Sequence, residues 1–121
     1  MKITKEFEFG ELHIEDNLVI GIMKEGSHID PASNRLLLSY CNEVFEKKPF
    51  GYLSHRQHSY SVDPTVYIDA ANHFGLKAIA VVSQNPVIET NVIIEKQFFN
   101  QPFETFKTVE DAKNWLSQVL I

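Results

Sequence analysis

The sequence predicts an α/β protein with a mixed β-sheet, and a change in its hydrophobic pattern is the main reason. The first third alternates polar and apolar residues over three short runs, which is typical of antiparallel strands. From Asp30 onward, apolar residues at helical spacing alternate with short apolar runs of strand length. That alternation favours right-handed crossovers and a largely parallel sheet. The predicted order is βββαβαβαβα, in one domain that spans residues 1–121.

The three N-terminal strands are predicted from alternation and from turn signals. The first run ends at Gly10, and the second ends at Asp16-Asn17, a pair that favours a turn. The third run, residues 18–23, is almost entirely apolar, as expected of an interior strand. The apolar residues that define the first two runs are Ile3, Phe7, Phe9, Leu12 and Ile14.

Three pairs of Asp or Asn followed by Pro, at 30–31, 63–64 and 85–86, predict helix starts. The Asx side chain can cap the free N–H groups, and Pro is preorganised for the first helical turn. Thr108 with Asp111 resembles a capping box and predicts a fourth start. Lys47-Lys48 is predicted to close the first helix, and Gly75 to follow the second. The predicted apolar faces are Leu37, Leu38, Cys41, Val44 and Phe45; Tyr67, Ala70, Ala71 and Phe74; Ile88, Val92, Ile94, Phe98 and Phe99; and Ala112, Trp115, Leu116, Val119 and Leu120.

Three further strands are predicted between these helices. Residues 50–54 form a buried strand, and residues 78–82, Ala-Ile-Ala-Val-Val, form a central strand that is apolar on both faces. Residues 103–106 form a short last strand. These strands and helices complete the predicted alternation.

Composition excludes several classes of function. Sixteen acidic residues face eleven basic ones, for a formal charge of −5, so nucleic acid and anionic membranes are not expected as main partners. No apolar stretch approaches the ~20 residues of a membrane span. The N-terminus lacks the apolar region of a signal peptide. The single cysteine, Cys41, permits no internal disulfide, and we expect a cytoplasmic protein.

Three local strings, together with the order of elements, resemble the STAS/SpoIIAA-like group, in particular its small bacterial members of STAS/SEC14-like type. They are Pro49-Phe50-Gly51-Tyr52-Leu53-Ser54-His55-Arg56, Ser59-Tyr60-Ser61-Val62-Asp63-Pro64 and Phe106-Lys107-Thr108-Val109-Glu110-Asp111-Ala112-Lys113-Asn114-Trp115-Leu116. The resemblance implies a mixed sheet with helices mainly on one side. It also implies a non-enzymatic, partner-docking role, or apolar-ligand binding in the SEC14-type arrangement.

One departure from that group concerns phosphorylation. Bacterial antagonists of the group carry an Asp-Ser-Ser-Gly or Asp-Ser-Thr-Gly string at the start of the second helix. Here the place holds Val62-Asp63-Pro64-Thr65-Val66. A phosphate could still be accommodated on Ser61 or Thr65 at this helix start, but the motif itself is absent.

The polar segment from Ser54 to Asp63 is the predicted working surface. It follows a buried strand and precedes a helix, and ligands of open α/β sheets collect at the carboxyl ends of parallel strands. Arg56 would supply a fixed charge and Tyr60 an anchoring ring; an ordinary polar loop is the alternative. The candidate binding residues are His55, Arg56, His58, Tyr60, Ser61, Asp63 and Thr65.

The other His, Asp and Cys residues that could bind a metal or act in catalysis are expected to have structural roles instead. His55, His58, Asp63 and His73 could hold a metal only if they converged, which loop spacing does not ensure. Asp69 and His73, four apart on the second helix, are expected to form a surface pair rather than a catalytic one. Cys41 is expected to pack as a small apolar residue. We therefore predict no catalytic residue, no metal and no cofactor.

These observations predict a non-enzymatic regulatory or protein-interaction module of STAS/SpoIIAA type. The alternative is a carrier or sensor that binds a small apolar, lipid-like ligand between the helices and the sheet. A third candidate, an enzyme, would require His55, His58 and His73 to meet in a cleft. The sequence leaves a homodimer open.

Overall fold

Eight strands and four helices make up the described part of the chain, which comprises residues 2–73 and 75–120 of this computed structural model, without the side chains of residues 86–90. The strands are β1 (Lys2–Phe7), β2 (Gly10–Glu15), β3 (Leu18–Met23), β4 (His28–Ile29), β5 (Phe50–His55), β6 (Ser61–Val62), β7 (Leu76–Val82) and β8 (Phe103–Phe106). The helices are α1 (Pro31–Phe45), α2 (Val66–Ala71), α3 (Pro86–Lys96) and α4 (Val109–Val119).

Six of the strands form one mixed sheet in the order β1-β2-β3-β5-β7-β8. The strands β1, β2 and β3 pair antiparallel, whereas β3, β5, β7 and β8 pair parallel. The predicted α/β class, N-terminal antiparallel strands and four helices are therefore confirmed. The predicted order lacked β4 and β6, which pair parallel in a separate two-stranded sheet. Strands of two residues are too short to produce a hydrophobic period.

The helices cover the two faces of the sheet unequally. Val81 on β7 belongs to the larger core, which also holds residues of α1, α2 and α3. Ala80 and Val82 point the other way, into a smaller core formed with α4. The alternation along β7 explains this division, since successive side chains point to opposite faces. Every residue from Ala78 to Val82 is buried, as predicted for a central strand.

Two of the predicted helix starts are confirmed by cap geometry. The Asp30 carboxylate accepts a hydrogen bond from the Ser33 N–H at 2.8 Å, with Pro31 opening α1. The Thr108 hydroxyl accepts from the Asp111 N–H at 3.1 Å. Each cap satisfies an N–H group that has no partner within its own helix.

The second helix is shorter than predicted. Its first residue is Val66, and the Asp63 carboxylate accepts from the N–H of Thr65 in a turn that precedes the helix. Since α2 ends at Ala71, Gly75 does not follow its last turn. Gly75 instead permits close packing, because a Cβ there would lie 2.8 Å from the Lys48 carbonyl oxygen.

The first helix also ends earlier than expected. Its last residue is Phe45, so Lys47 and Lys48 lie beyond its last turn. The residues that leave the helix, Glu46 and Lys47, have positive φ angles of 51° and 73°. Glu46 caps the helix in the left-handed region, and its N–H donates to the Asn42 carbonyl.

Candidate functional site

A groove of about 290 Å³ lies between α3 and the chain segment that runs from the end of β5 to the start of α2. We call it the loop groove. Four of the seven predicted binding residues line it. The lining is formed by Arg56, His58, Tyr60, Ser61, Val62, Pro64, Asn91, Ile94 and Glu95.

The wall of the loop groove is held by a buried ion pair. Arg56 follows β5 and Glu95 lies near the end of α3, 39 residues later. Two parallel hydrogen bonds join them, Nη2 to Oε1 at 2.6 Å and Nη1 to Oε2 at 3.0 Å. The side chains are only 6% and 7% exposed. Bidentate geometry of this kind fixes both the distance and the orientation of the two groups.

Hydroxyl groups complete this network. The Tyr67 hydroxyl donates to Glu95 Oε1, and Arg56 Nη2 lies 3.2 Å from the same hydroxyl. Arg56 Nε donates to Ser54 Oγ at 3.2 Å, and Ser54 Oγ lies 3.0 Å from the Tyr60 hydroxyl. Among the described residues, no buried side-chain nitrogen or oxygen lacks a partner. The network is therefore rigid and electrically balanced.

Burial and pairing act oppositely on the charged members of the network. Burial by itself lowers the pKa of Arg56, but hydrogen bonds to Glu95 and its negative charge outweigh burial and raise the pKa. Burial raises the pKa of Tyr67 well above its ordinary value. Arg56 is thus a permanent cation and Tyr67 a neutral donor. The guanidinium also lies 5.6 Å from the centre of the Tyr60 ring, which holds that ring in place.

Sequence reasoning found Arg56 but missed Glu95. The predicted apolar face of the third helix included Ile94, which is 53% exposed in the structure, whereas Glu95 is buried. Glu95 lies three residues after Val92 and four before Phe99, and both of those residues are buried. A carboxylate in register with two core residues was a signal of a buried cationic partner. The Ile88 side chain lies outside the described residues.

The remaining loop residues are more exposed. His58 is exposed at the rim of the loop groove. Ser61 begins β6, and its hydroxyl oxygen lies 2.7 Å from His28 Nδ1 on β4. The short β4–β6 sheet thus carries the loop, with Gly26 N–H also donating to the Ser59 carbonyl.

Two carboxylates stand side by side beyond the short sheet. Asp30 follows β4 and Asp63 follows β6, and the Asp63 N–H donates to the Ile29 carbonyl. Hydrogen bonds from Ser33 lower the pKa of Asp30, and hydrogen bonds from Thr65 lower the pKa of Asp63. Within the described residues, neither carboxylate forms an ion pair with Lys or Arg. Both are therefore uncompensated negative charges near neutral pH.

His55 lies apart from the loop groove. It is the last residue of β5, and alternation places its side chain on the face opposite Ser54. Burial lowers its pKa. The structure therefore separates His55 from the predicted residues Arg56, Tyr60 and Ser61, although all four lie within seven residues of sequence.

The histidines do not converge on a shared centre. The His73 ring contacts Phe50 at the start of β5, with ring centres 5.7 Å apart, whereas His55 ends the same strand. Five residues of extended chain separate those ends by roughly 16 Å. His73 also lies beyond the end of α2, so no helical pair with Asp69 forms. Over the described residues, no group of three His, Cys, Asp or Glu side chains could hold a metal ion.

A second, apolar cavity of about 70 Å³ lies between α1, α2 and the sheet. Its lining includes Cys41 on α1, and burial raises the pKa of that thiol to about 12. Tyr60 and Val62 line both this cavity and the loop groove, so they form the wall between the two spaces. Cys41 packs here as an apolar side chain, as the sequence predicted.

Comparison with known proteins identifies the fold. The chain resembles the crystal structure of an uncharacterised protein of the DUF3478 family with a SpoIIAA-like fold from Shewanella loihica. The TM-score is 0.57 at 12% sequence identity, with 96% of this chain and 92% of that chain covered. A crystal structure of an anti-sigma factor antagonist from Mycobacterium paratuberculosis overlaps at a TM-score of 0.44 and 10% identity, over 97% and 93% of the two chains. No protein-family description matches, and no curated protein matches.

The chain therefore has a SpoIIAA-like α/β fold, which confirms the resemblance at the level of architecture. The described residues contain no helix that is both long and apolar enough to cross a membrane.

Proposed function

We propose that this chain is a non-enzymatic regulatory module that docks a segment of a protein partner in the loop groove. The observation that carries the proposal is the rigid polar wall of Arg56, Glu95 and Tyr60 beside the exposed side chain of Ile94. A prepositioned wall lowers the entropic cost of binding, since few side chains must be ordered when the partner arrives. The resemblance of the sequence to the STAS/SpoIIAA-like group supports such a role by analogy of fold alone.

Apolar surface on α3 supports a partner with an aliphatic or aromatic anchor. Ile94 is 53% exposed within the groove, and its neighbour Ile93 is 65% exposed. An isolated exposed isoleucine needs no explanation. Here, however, Ile94 lines the same concave space as Val62, Pro64 and Tyr60, which is the usual setting of an interface anchor.

Charge around the groove supports a basic partner. Among the described residues of the lining, Arg56 and Glu95 are the only charged ones, and they neutralise each other. Asp63 lies between two lining residues, and Asp30 lies beside it, so the rim is negative. The whole chain carries a formal charge of −5. Complementary Lys or Arg side chains flanking the apolar anchor would steer association and set the register.

Site-specific photocrosslinking in the native cell tests the proposal. A benzophenone amino acid replaces Asn91, which is exposed on α3 and lines the groove. The matched control replaces Asn114, an exposed asparagine on α4 across the sheet. We expect one discrete protein to be crosslinked from position 91 and not from position 114. A crosslink at twice the mass of the chain would identify a second copy as the occupant.

Two substitutions show whether that crosslink reports the proposed contacts. Ile94→Asp should reduce the crosslink at least tenfold, because it places a charge where an apolar anchor is buried. Asp63→Asn retains the acceptor for Thr65 but removes the charge, so it should weaken the crosslink severalfold and reduce its sensitivity to salt. Asp111→Asn on α4 is the matched charge control. Equal crosslinks from positions 91 and 114, or no effect of Ile94→Asp, would contradict the proposal.

The alternative of a lipid-like ligand is less well supported by size. Pockets that hold drug-sized ligands are roughly 300–1,000 Å³. The apolar cavity between the helices and the sheet measures about 70 Å³. A lipid-like molecule would require α1 or α2 to move away from the sheet.

A further inference from the structure

The first strand forms an open edge of the six-stranded sheet. β1 stands last in the strand order and pairs only with β2, so among the described residues no strand covers its outer side. An edge of this kind presents backbone N–H and C=O groups that can pair with another chain. We propose that β1 pairs antiparallel with β1 of a second copy of this chain, which joins the two sheets edge to edge. The proposal does not depend on docking in the loop groove.

The register of the N-terminal strands shows which backbone groups of β1 point outward. A two-residue turn joins β1 to β2, with Phe7 opposite Gly10, and residues that flank such a turn exchange hydrogen bonds. The exchange recurs at every second pair along antiparallel strands. The bond from the Gly51 N–H to the Asn17 carbonyl fixes the alternation in β3, and carrying it across β2 gives the same result. The outward-pointing residues of β1 are Lys2, Thr4 and Glu6.

These outward-pointing residues are self-complementary in charge. In a contact with twofold symmetry, the same patch of both copies meets, so the two strands pair about a common centre. A centre at Thr4 places Lys2 of each copy opposite Glu6 of the other. All of these pairs join outward-pointing residues, so each exchanges backbone hydrogen bonds. Opposite charges directly across from each other stabilise antiparallel strands.

Within one chain, Glu6 lacks the cation that this pairing supplies. Its cross-strand neighbour on β2 is Glu11, and like charges directly opposite each other are destabilising. Glu11 lies 3.5 Å from the His13 ring, whereas Glu6 forms no ion pair with any described residue. Lys2 lies 4.0 Å from Glu15, but both side chains are exposed, so that contact is weak. Lys2 therefore remains available to Glu6 of the second copy.

The usual devices that protect a sheet edge are absent from the described part of β1. Bulges, prolines and charges that point across the edge are such devices. The pairing of β1 with β2 is continuous over residues 2–7, and this segment contains no proline. The Lys5 ammonium lies 5.8 Å from the centre of the Phe7 ring and 5.6 Å from that of Tyr40 on α1. Its charge is thus held over the face of the sheet and leaves the edge accessible.

Sedimentation velocity on the full chain tests the proposal. We expect a concentration-dependent species of twice the 13.9 kDa of one chain. Lys2→Glu and Glu6→Lys each bring like charges together twice in the contact, so each should weaken the dimer at least tenfold. Glu104→Lys is the matched control, because it makes the same change at an exposed position of β8, the opposite edge of the sheet. It should leave the dimer unchanged.

Mixing the two charge-reversed chains distinguishes lost complementarity from misfolding. The Lys2→Glu chain carries two acidic residues at the outward positions, and the Glu6→Lys chain carries two basic ones. A heterodimer of these chains regains both opposite-charge pairs. We therefore expect each chain to sediment as a single copy and their equimolar mixture to sediment as a dimer.

Backbone amide exchange, followed by NMR, locates the contact on β1. The Thr4 N–H points outward and should be protected in the dimer, then exchange rapidly in either charge-reversed chain. The Lys5 N–H points toward β2 and should stay protected in all of them. A chain that sediments as one copy up to its solubility limit, a dimer that survives both single reversals, or a mixture that stays monomeric would overturn the proposal.

Discussion

Replacing Glu95 with glutamine tests the buried ion pair that joins α3 to the end of β5. Glutamine keeps the shape of the side chain but removes its charge, so Arg56 remains buried as a cation without a counter-ion. Because both side chains are less than 8% exposed, little solvent can compensate for the loss. Breaking a buried pair from one side costs about 3–5 kcal/mol.

The size of this effect is large relative to the stability of such a domain. Small domains unfold with about 5–15 kcal/mol, so Glu95→Gln should remove a substantial share of it. The corresponding fall in Tm is on the order of 15 °C for a chain of this length. The Tyr67 hydroxyl also loses an ionised acceptor, which adds to the cost.

Urea denaturation followed by tryptophan fluorescence measures the effect. Trp115 is the only tryptophan, and its ring lies 5.5 Å from that of Phe106. Both rings pack against the smaller core, on the face of the sheet opposite the ion pair, so Trp115 reports global unfolding. Urea is preferred to guanidinium because it does not screen the ion pair. The matched control is the double variant Arg56→Met with Glu95→Leu, which replaces both charges with apolar groups.

The double variant separates the ion pair from simple packing. Replacing a buried pair with apolar residues of similar volume is often neutral or stabilising. We therefore expect the double variant to be more stable than Glu95→Gln. A loss below about 1 kcal/mol for Glu95→Gln, or a double variant no more stable than Glu95→Gln, would refute the reasoning.

Two further predictions concern titration. Burial raises the pKa of the Cys41 thiol to about 12, so only about one molecule in ten thousand carries a Cys41 thiolate at pH 8. An aromatic disulfide reagent should therefore label the native chain roughly a thousandfold more slowly than the urea-unfolded chain. Comparable labelling rates would show that the thiol is accessible in the folded chain. Burial lowers the pKa of His73, so the unfolded chain binds a proton more readily than the folded chain does. In urea unfolding, the contribution of His73 to the free energy of unfolding should be fully present above about pH 6.5 and should be lost progressively as the pH falls toward the folded pKa. His73→Gln should reduce that loss, and an identical pH profile for the variant would count against it.

Much of the fold was predictable because its signals are local. The caps at Asp30 and Thr108 each involve residues three apart, and the fully apolar run of β7 identified the central strand. Where the prediction was wrong, a nearby alternative had a similar local pattern. Asp63 with Pro64 resembles a helix start, yet the Asp63 side chain instead bonds to Thr65 and the helix begins two residues later.

The candidate site was only partly predictable. The sequence pointed to the loop after β5 and to Arg56, His58, Tyr60 and Ser61, which the structure places around one groove. It also pointed to His55, which strand alternation directs to the opposite face. The roles of all these residues in binding remain predictions. A local sequence pattern does not show which distant helix packs beside a loop, so the sequence could not predict that α3 forms the second wall of the groove.

The sequence alone determined the α/β class, the number of helices and the polar segment after β5, because period, capping and turn chemistry act over a few residues. Only the tertiary structure decided which distant residues meet. Arg56 and Glu95 are 39 positions apart, β4 and β6 are joined across 33, and Tyr52 extends over Gly21 across 31. Such contacts depend on the register of strands and the packing of helices. These are collective outcomes of folding that no short window of sequence contains.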